Sequence, residues 1–225
     1  MAQRHTLHVN HTMFSRRSFT VLLLALCVFV AHAATPEGKV ILVLGDSISA
    51  AYGLPAGAGW VALLQSRLTG AHYSYTAVNA SVSGDTTAGG RARLDALLAQ
   101  HRPAVTIIEL GGNDGLRGGS VDAMRRNLDA MIAAAQKAGS KVLLVGMRMP
   151  PNYGPAYVQR FDASFAEAAK ARKIALVPFI FDGFAGEDNM FQADRVHPVA
   201  AAQPKMLETI WRELKPMLDA GTKSP

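Results

Sequence analysis

The sequence predicts an α/β fold, a three-layer sandwich around a five-stranded parallel sheet. Three observations predict it. Short apolar runs end in glycine or proline, which marks strands buried on both faces. Stretches with apolar residues at helical spacing separate those runs, and strand–helix alternation implies βαβ units with right-handed crossovers. The chain has 225 residues, enough for one domain with a sizeable core and cramped for two.

The first strand is 40–44, a continuous apolar run stopped by Gly45. A helix is expected over 60–68 and a second strand over 73–78. Residues 87–100 place Leu94, Leu97 and Leu98 on one helical face. The third strand, 105–110, stops at Gly111-Gly112. An alanine-rich helix over 121–138 closes at Gly139 in a C′ position. The fourth strand is 141–147, followed by a helix over 156–172 and a short fifth strand over 174–179. A final helix is expected over 199–218. Residues 181–197 have no regular periodicity, and a long loop of that kind is often functional. In open α/β sheets, ligands sit beyond the carboxyl ends of the strands, so the chemistry is expected just after them.

Composition narrows the classes. Apolar residues make up 49% and charged residues 18%, an ordinary globular balance. The formal charge is +6, but residues 1–33 carry three arginines and no acid, leaving 20 basic side chains against 17 acidic ones, about +3. That charge, without a basic stripe interleaved with aromatics, does not argue for nucleic acid. Residues 1–33 read as a signal peptide: Arg16-Arg17 precede the apolar run 21–31, and Ala31-His32-Ala33 fits a small-x-small cleavage site, so the mature domain is expected to be 34–225. The run is shorter than the roughly 20 residues of a membrane span, which disfavours an uncleaved anchor. General secretory and twin-arginine export fit equally, and Met13 is an alternative start. The expected location is periplasmic or secreted, with no stable membrane span after cleavage, and the expected species is a monomer. Cys27, the only cysteine, lies in this segment, and Leu26 before it is too bulky for a lipoprotein signal, so the mature chain has no thiol chemistry. His5, His8 and His11 recur every third residue in the same segment and read as variable presequence.

Four segments could carry chemistry. Ser47, directly after the first strand, is expected at a strand-to-helix turn, where a helix N-terminus stabilises negative charge; by itself it reads as an N-cap. Serine needs a base to take its proton. Asp194 and His197, three residues apart, can fold so that the carboxylate fixes the imidazole tautomer and leaves Nε2 for a serine; by itself such a pair reads as a surface turn. Free histidine titrates near 6.5, so activity is expected to fall below that range. Acyl transfer also needs oxyanion donors, each worth roughly 3–4 kcal/mol. Gly84, after the second strand, offers a backbone N–H, and Asn113, after the third, a side-chain amide; turn chemistry is the bland reading of both. Asp85 and Asp114 read mainly as caps.

Together, Gly45-Asp46-Ser47-Ile48-Ser49, Gly84, Gly111-Gly112-Asn113-Asp114 and Asp194-x-x-His197 resemble the GDSL/SGNH hydrolases, over about residues 39–218. The stretches 78–86, 109–118 and 151–154 resemble in particular the periplasmic thioesterase I/lysophospholipase L1/arylesterase group. The resemblance implies the flavodoxin-like SGNH fold and a serine esterase cleaving esters and thioesters through an acyl-enzyme. It implies Ser47 as nucleophile, His197 as base, Asp194 as its orienter, and Ser47 N–H, Gly84 N–H and Asn113 as oxyanion hole. Ile48 stands where the family usually has leucine, and the loop 54–59 departs from its pattern. Ile48, Leu116, Pro150 and Tyr153 are expected to contact a small-molecule acyl ester or thioester, and Met147 and Met149 suit a chain of variable length. No metal or cofactor is expected. The alternatives are a carbohydrate acetylesterase with the same triad and a non-catalytic lipid- or sugar-binding module on the same fold; the presence of every expected catalytic residue argues against the second.

Overall fold

The structure, a computed structural model, describes residues 38–220 together with Met1 and Gln3. The expected signal segment and the histidine triplet within it otherwise lie outside the described residues. The described residues 38–220 form a compact unit of their own.

The strands are β1 (Lys39–Gly45), β2 (Tyr75–Asn79), β3 (Val105–Glu109), β4 (Lys141–Val145) and β5 (Ala175–Val177). All pair in parallel in the order β2-β1-β3-β4-β5. The helices are α1 (Trp60–Gly70), α2 (Thr87–His101), α3 (Gly112–Leu116), α4 (Val121–Lys137), α5 (Pro155–Arg172) and α6 (Gln203–Asp219). The packing pairs α1 with α6 on one layer and α2, α4 and α5 on the other. The three-layer sandwich with five parallel strands is therefore present. Ile41 to Leu44 of β1 and all of β3 are buried, as strands covered on both faces must be.

Several boundaries differ from expectation, each for a local reason. No helix follows Ser47: residues 47–53 form consecutive turns, and α1 starts only at Trp60. Ala51 at φ 58° and Gly53 at φ 75° interrupt the helical path, leaving one i→i−4 bond from Ala50 N–H to the Asp46 carbonyl. The last helix starts later than expected, because a 3₁₀ turn over Ala200–Ala202 precedes Pro204 in the first turn of α6. The short α3 was hidden by its glycines, which read as loop.

This order reverses direction between β1 and β3, where a doubly wound sheet opens a crevice at its carboxyl edge. The turn after β1 and the turn after β3 therefore stand side by side, with the loop after β2 beside them.

Candidate active site

At this edge the sequence-predicted residues converge. His197 Nε2 lies 2.9 Å from Ser47 Oγ, and His197 Nδ1 lies 2.7 Å from Asp194 Oδ2. Because Nδ1 faces a carboxylate, the hydrogen-bond network assigns it the proton and leaves Nε2 as acceptor for the serine O–H. The loop that carries the pair is wound tightly. Arg195 adopts φ 58°, and Asp194 Oδ1 accepts the backbone N–H groups of Val196 at 2.9 Å and His197 at 3.0 Å. Those bonds and the imidazole hold the Asp194 carboxyl at about 2, below its ordinary 3.8. The Gln192 N–H donates to the His197 carbonyl at 2.8 Å, and Tyr52 lays its ring 4.6 Å from the imidazole, centroid to centroid.

Two buried carboxyl groups lie under Ser47. Asp46 is 2% exposed; its Oδ1 accepts the Ile48 N–H and its Oδ2 accepts Asn113 Nδ2–H, both at 3.0 Å. Burial raises its pKa to about 6, against the opposing pull of those two hydrogen bonds. Glu109, the last residue of β3, is likewise buried. Its carboxyl accepts from Ser49 Oγ at 2.7 Å and from the backbone N–H groups of Asp46 and Ser49, and Trp60 Nε1 donates to Ser49 Oγ at 3.2 Å. Burial pushes Glu109 well above the usual carboxyl range, and the nearby Asp46 charge adds to this. Gly45 has to be glycine here, because a Cβ would stand 2.8 Å from Ser49 and 2.9 Å from Glu109 Oε2.

Ser47, Gly84 and Asn113 share one cavity of about 730 Å³. Among the described residues no protein acceptor takes the backbone N–H of Ser47 or Gly84. Gly84 sits at φ 78°, which favours glycine, and its carbonyl accepts from Arg117 at 3.0 Å. Asp114 accepts from the N–H and hydroxyl of Thr87 at the start of α2, and Asp85 pairs with Arg93.

Ile48, Leu116 and Pro150 line the cavity. Tyr153 is not among its lining residues; it donates from its hydroxyl to the Leu116 carbonyl at 2.9 Å and stacks on Tyr157, so it braces the wall from behind. Sequence reasoning missed Phe179, Phe181 and Phe191, which with Met147 and Met149 make the cavity largely apolar. Their signal was available: Phe179 and Phe181 follow the fifth strand on the active edge, and Phe191 lies on the aperiodic stretch. It also missed Glu109, which a strand pattern reads as the polar end of β3.

A hydroxyl, an imidazole and a carboxylate in series, beside open N–H donors at the carboxyl edge of a doubly wound sheet, define an ester hydrolase of the SGNH type. The chain belongs to the GDSL-like lipase/acylhydrolase family, whose model matches residues 43–203. It is 52% identical over 195 residues to esterase TesA of Pseudomonas aeruginosa, covering 87% of this chain and 96% of that protein. It is 38% identical over 211 residues to thioesterase 1/protease 1/lysophospholipase L1 of Escherichia coli K12, covering 94% and 98%. A crystal structure of TesA superposes with a TM-score of 0.78 at 54% identity, covering 80% of this chain and 99% of the other.

Proposed function

We propose that Ser47 attacks the carbonyl carbon of an acyl ester or thioester while His197 Nε2 takes its proton. Asp194 holds the imidazole in the required tautomer and balances its charge. The backbone N–H groups of Ser47 and Gly84 and the free Nδ2–H of Asn113 receive the oxyanion. The C–O or C–S bond then breaks, the leaving alcohol or thiol takes its proton from His197, and an acyl-serine ester remains. Water, deprotonated by His197, attacks that ester and frees the acid. One observation carries the reading: the unbroken series Asp194 Oδ2, His197 Nδ1, His197 Nε2, Ser47 Oγ, with steps of 2.7 and 2.9 Å.

The substrates are carboxylic esters and thioesters of the aryl, acyl-CoA and lysophospholipid kinds. Phe179, Phe181 and Phe191 favour acyl chains well beyond acetyl, which argues against a carbohydrate acetylesterase. The enzyme is exported through residues 1–33, cleaved near Ala33/Ala34, and works as a periplasmic or secreted monomer.

The test is an acyl-length series of p-nitrophenyl esters and acyl thioesters on wild type and Ser47→Ala, with fluorophosphonate labelling. Ser47→Ala is expected to lose on the order of 10⁴- to 10⁶-fold in kcat and all labelling. A folded Ser47→Ala enzyme that keeps its turnover or its label would overturn the assignment.

A further inference from the structure

Among the described residues of the compact unit, the exposed large hydrophobic side chains are Tyr52, Val82 and Leu116, at 53%, 52% and 38% exposure. Exposed apolar residues scattered singly would need no explanation, but these three surround one opening. Tyr52 and Val82 lie on the loops after β1 and β2, and Leu116 ends α3, which follows β3. Tyr52 and Leu116 line the cavity. Val82 donates its N–H to the Gly45 carbonyl at 3.0 Å and precedes Ser83 and Gly84, which also line it. The Arg117 guanidinium, bonded to the Gly84 carbonyl, ties the Val82 loop to the Leu116 loop.

Three basic side chains stand around the same opening: Arg148 and Arg195 line the cavity, and Arg117 is bonded to the Gly84 carbonyl beside it. Arg117, Arg148 and Arg195 are exposed, and none of them forms an ion pair among the described residues. Arg148 lies over the Phe179 ring at 4.8 Å, its planar head along the cavity wall. The exposed carboxylate beside Arg195, Asp194, accepts from His197, and Asp162 feels the charge of Arg148 without forming an ion pair with it.

We propose that this rim is a docking surface for an anionic lipid–water interface, with Val82, Tyr52 and Leu116 entering the headgroup layer and the three arginines facing lipid phosphates. An aromatic ring with a polar tip, flanked by aliphatic side chains and guanidinium groups, is the composition that partitions to that depth. Each arginine held near an anionic surface strengthens binding by roughly fivefold. Docking there turns the cavity mouth toward the layer that holds acyl esters, so a chain passes into the pocket without crossing water.

The test is binding, not turnover, and so is separable from the catalytic reading. Residues 34–225 carrying Ser47→Ala, which leaves lipid intact, are floated with vesicles of phosphatidylcholine alone or mixed with phosphatidylglycerol. Preference for the anionic vesicles is expected, and high salt should weaken it. Val82→Asp is expected to weaken binding at least about tenfold, the loss for one buried valyl side chain, and more with its added charge. With Ser47 restored, the same substitution should leave hydrolysis of dissolved p-nitrophenyl butyrate within about twofold, the range of a surface change. Equal partitioning of the Val82→Asp protein and its parent, indifference to phosphatidylglycerol, or a dimer in dilute solution that Val82→Asp dissociates would each overturn the proposal.

Discussion

Asp46→Asn replaces one of the two acceptor oxygens at this position with an NH₂ donor and removes the titratable carboxyl. The wild-type carboxylate serves two donors, Ile48 N–H at Oδ1 and Asn113 Nδ2–H at Oδ2. An amide has one acceptor oxygen, so its NH₂ faces one of those donors. If the Ile48 bond survives, Asn113 must rotate, and the amide hydrogen proposed to meet the oxyanion turns with it. Losing one such donor costs roughly 3–4 kcal/mol, so kcat is expected to fall about 10²- to 10³-fold with KM little changed. Stability moves by a separate route. The Asp46 pKa is raised from 3.8 to about 6 by burial, so between those values the folded protein holds a proton that the unfolded chain has released. Wild-type stability therefore falls as pH rises through this window, by on the order of 3 kcal/mol from this group. The asparagine variant escapes that fall but gives up a charge-assisted bond worth about 1.5–3 kcal/mol. Its stability relative to wild type should thus improve between about pH 4 and pH 7, even as its turnover collapses. Saturation kinetics on p-nitrophenyl butyrate and urea unfolding across that range measure both. A kcat within about threefold of wild type would refute the tether argument. A stability difference that ignores pH would refute the burial argument.

Two further substitutions probe neighbouring groups. Asp194→Asn leaves the geometry in place but frees the imidazole tautomer, so kcat should drop on the order of 10⁴-fold. Because the Asp194 pKa is depressed to about 2, its stabilisation is fully present above 3.8 and is lost as pH falls toward 2. The side chain is 42% exposed, so water screens much of this, and acid unfolding of the variant should differ from wild type only modestly and only above about pH 2. Glu109→Gln should flatten the pH dependence of the melting temperature. The raised pKa of Glu109 makes wild-type stability greatest below 4.5 and progressively lower as pH rises, and the amide cannot titrate. A melting-temperature difference that stays constant with pH would refute it.

The layers of the fold were legible because β1 and β3 are covered on both faces and so are apolar without interruption. The convergence of Ser47, Gly84, Asn113 and His197 was legible for the same reason: a parallel sheet presents every strand's carboxyl end at one edge. The surroundings were not legible, and the causes are specific. Turn geometry after Ser47 depends on left-handed Ala51, which no local preference for alanine announces. Tyr153 sits in a motif that suggests contact with substrate, yet its hydroxyl finds a backbone carbonyl on the far side of the wall. Phe179, Phe181 and Phe191 look like core from composition, and only their place after the fifth strand and on the aperiodic stretch hinted that they line the cavity.

The two buried acids follow from the irregular turn. Where a regular helix would begin, backbone N–H groups are left without carbonyl partners, and burial makes each one costly. Here the donors of residues 46, 48 and 49 are met by carboxyl oxygens, Glu109 taking the first and third and Asp46 the second. The donor of Ala50 reaches the Asp46 carbonyl. In this run of five, among the described residues, the N–H of Ser47 alone has no acceptor. A turn that satisfied its donors by helical bonding would have had no reason to bury charge. One that left several open would have paid desolvation at each. Two carboxyl groups, each desolvated, anchor the backbone on both sides of the serine and leave open the Ser47 N–H, one of the three donors proposed for the oxyanion. That is why both acids are buried against the turn, where Asp46 also lines the cavity and Glu109 does not.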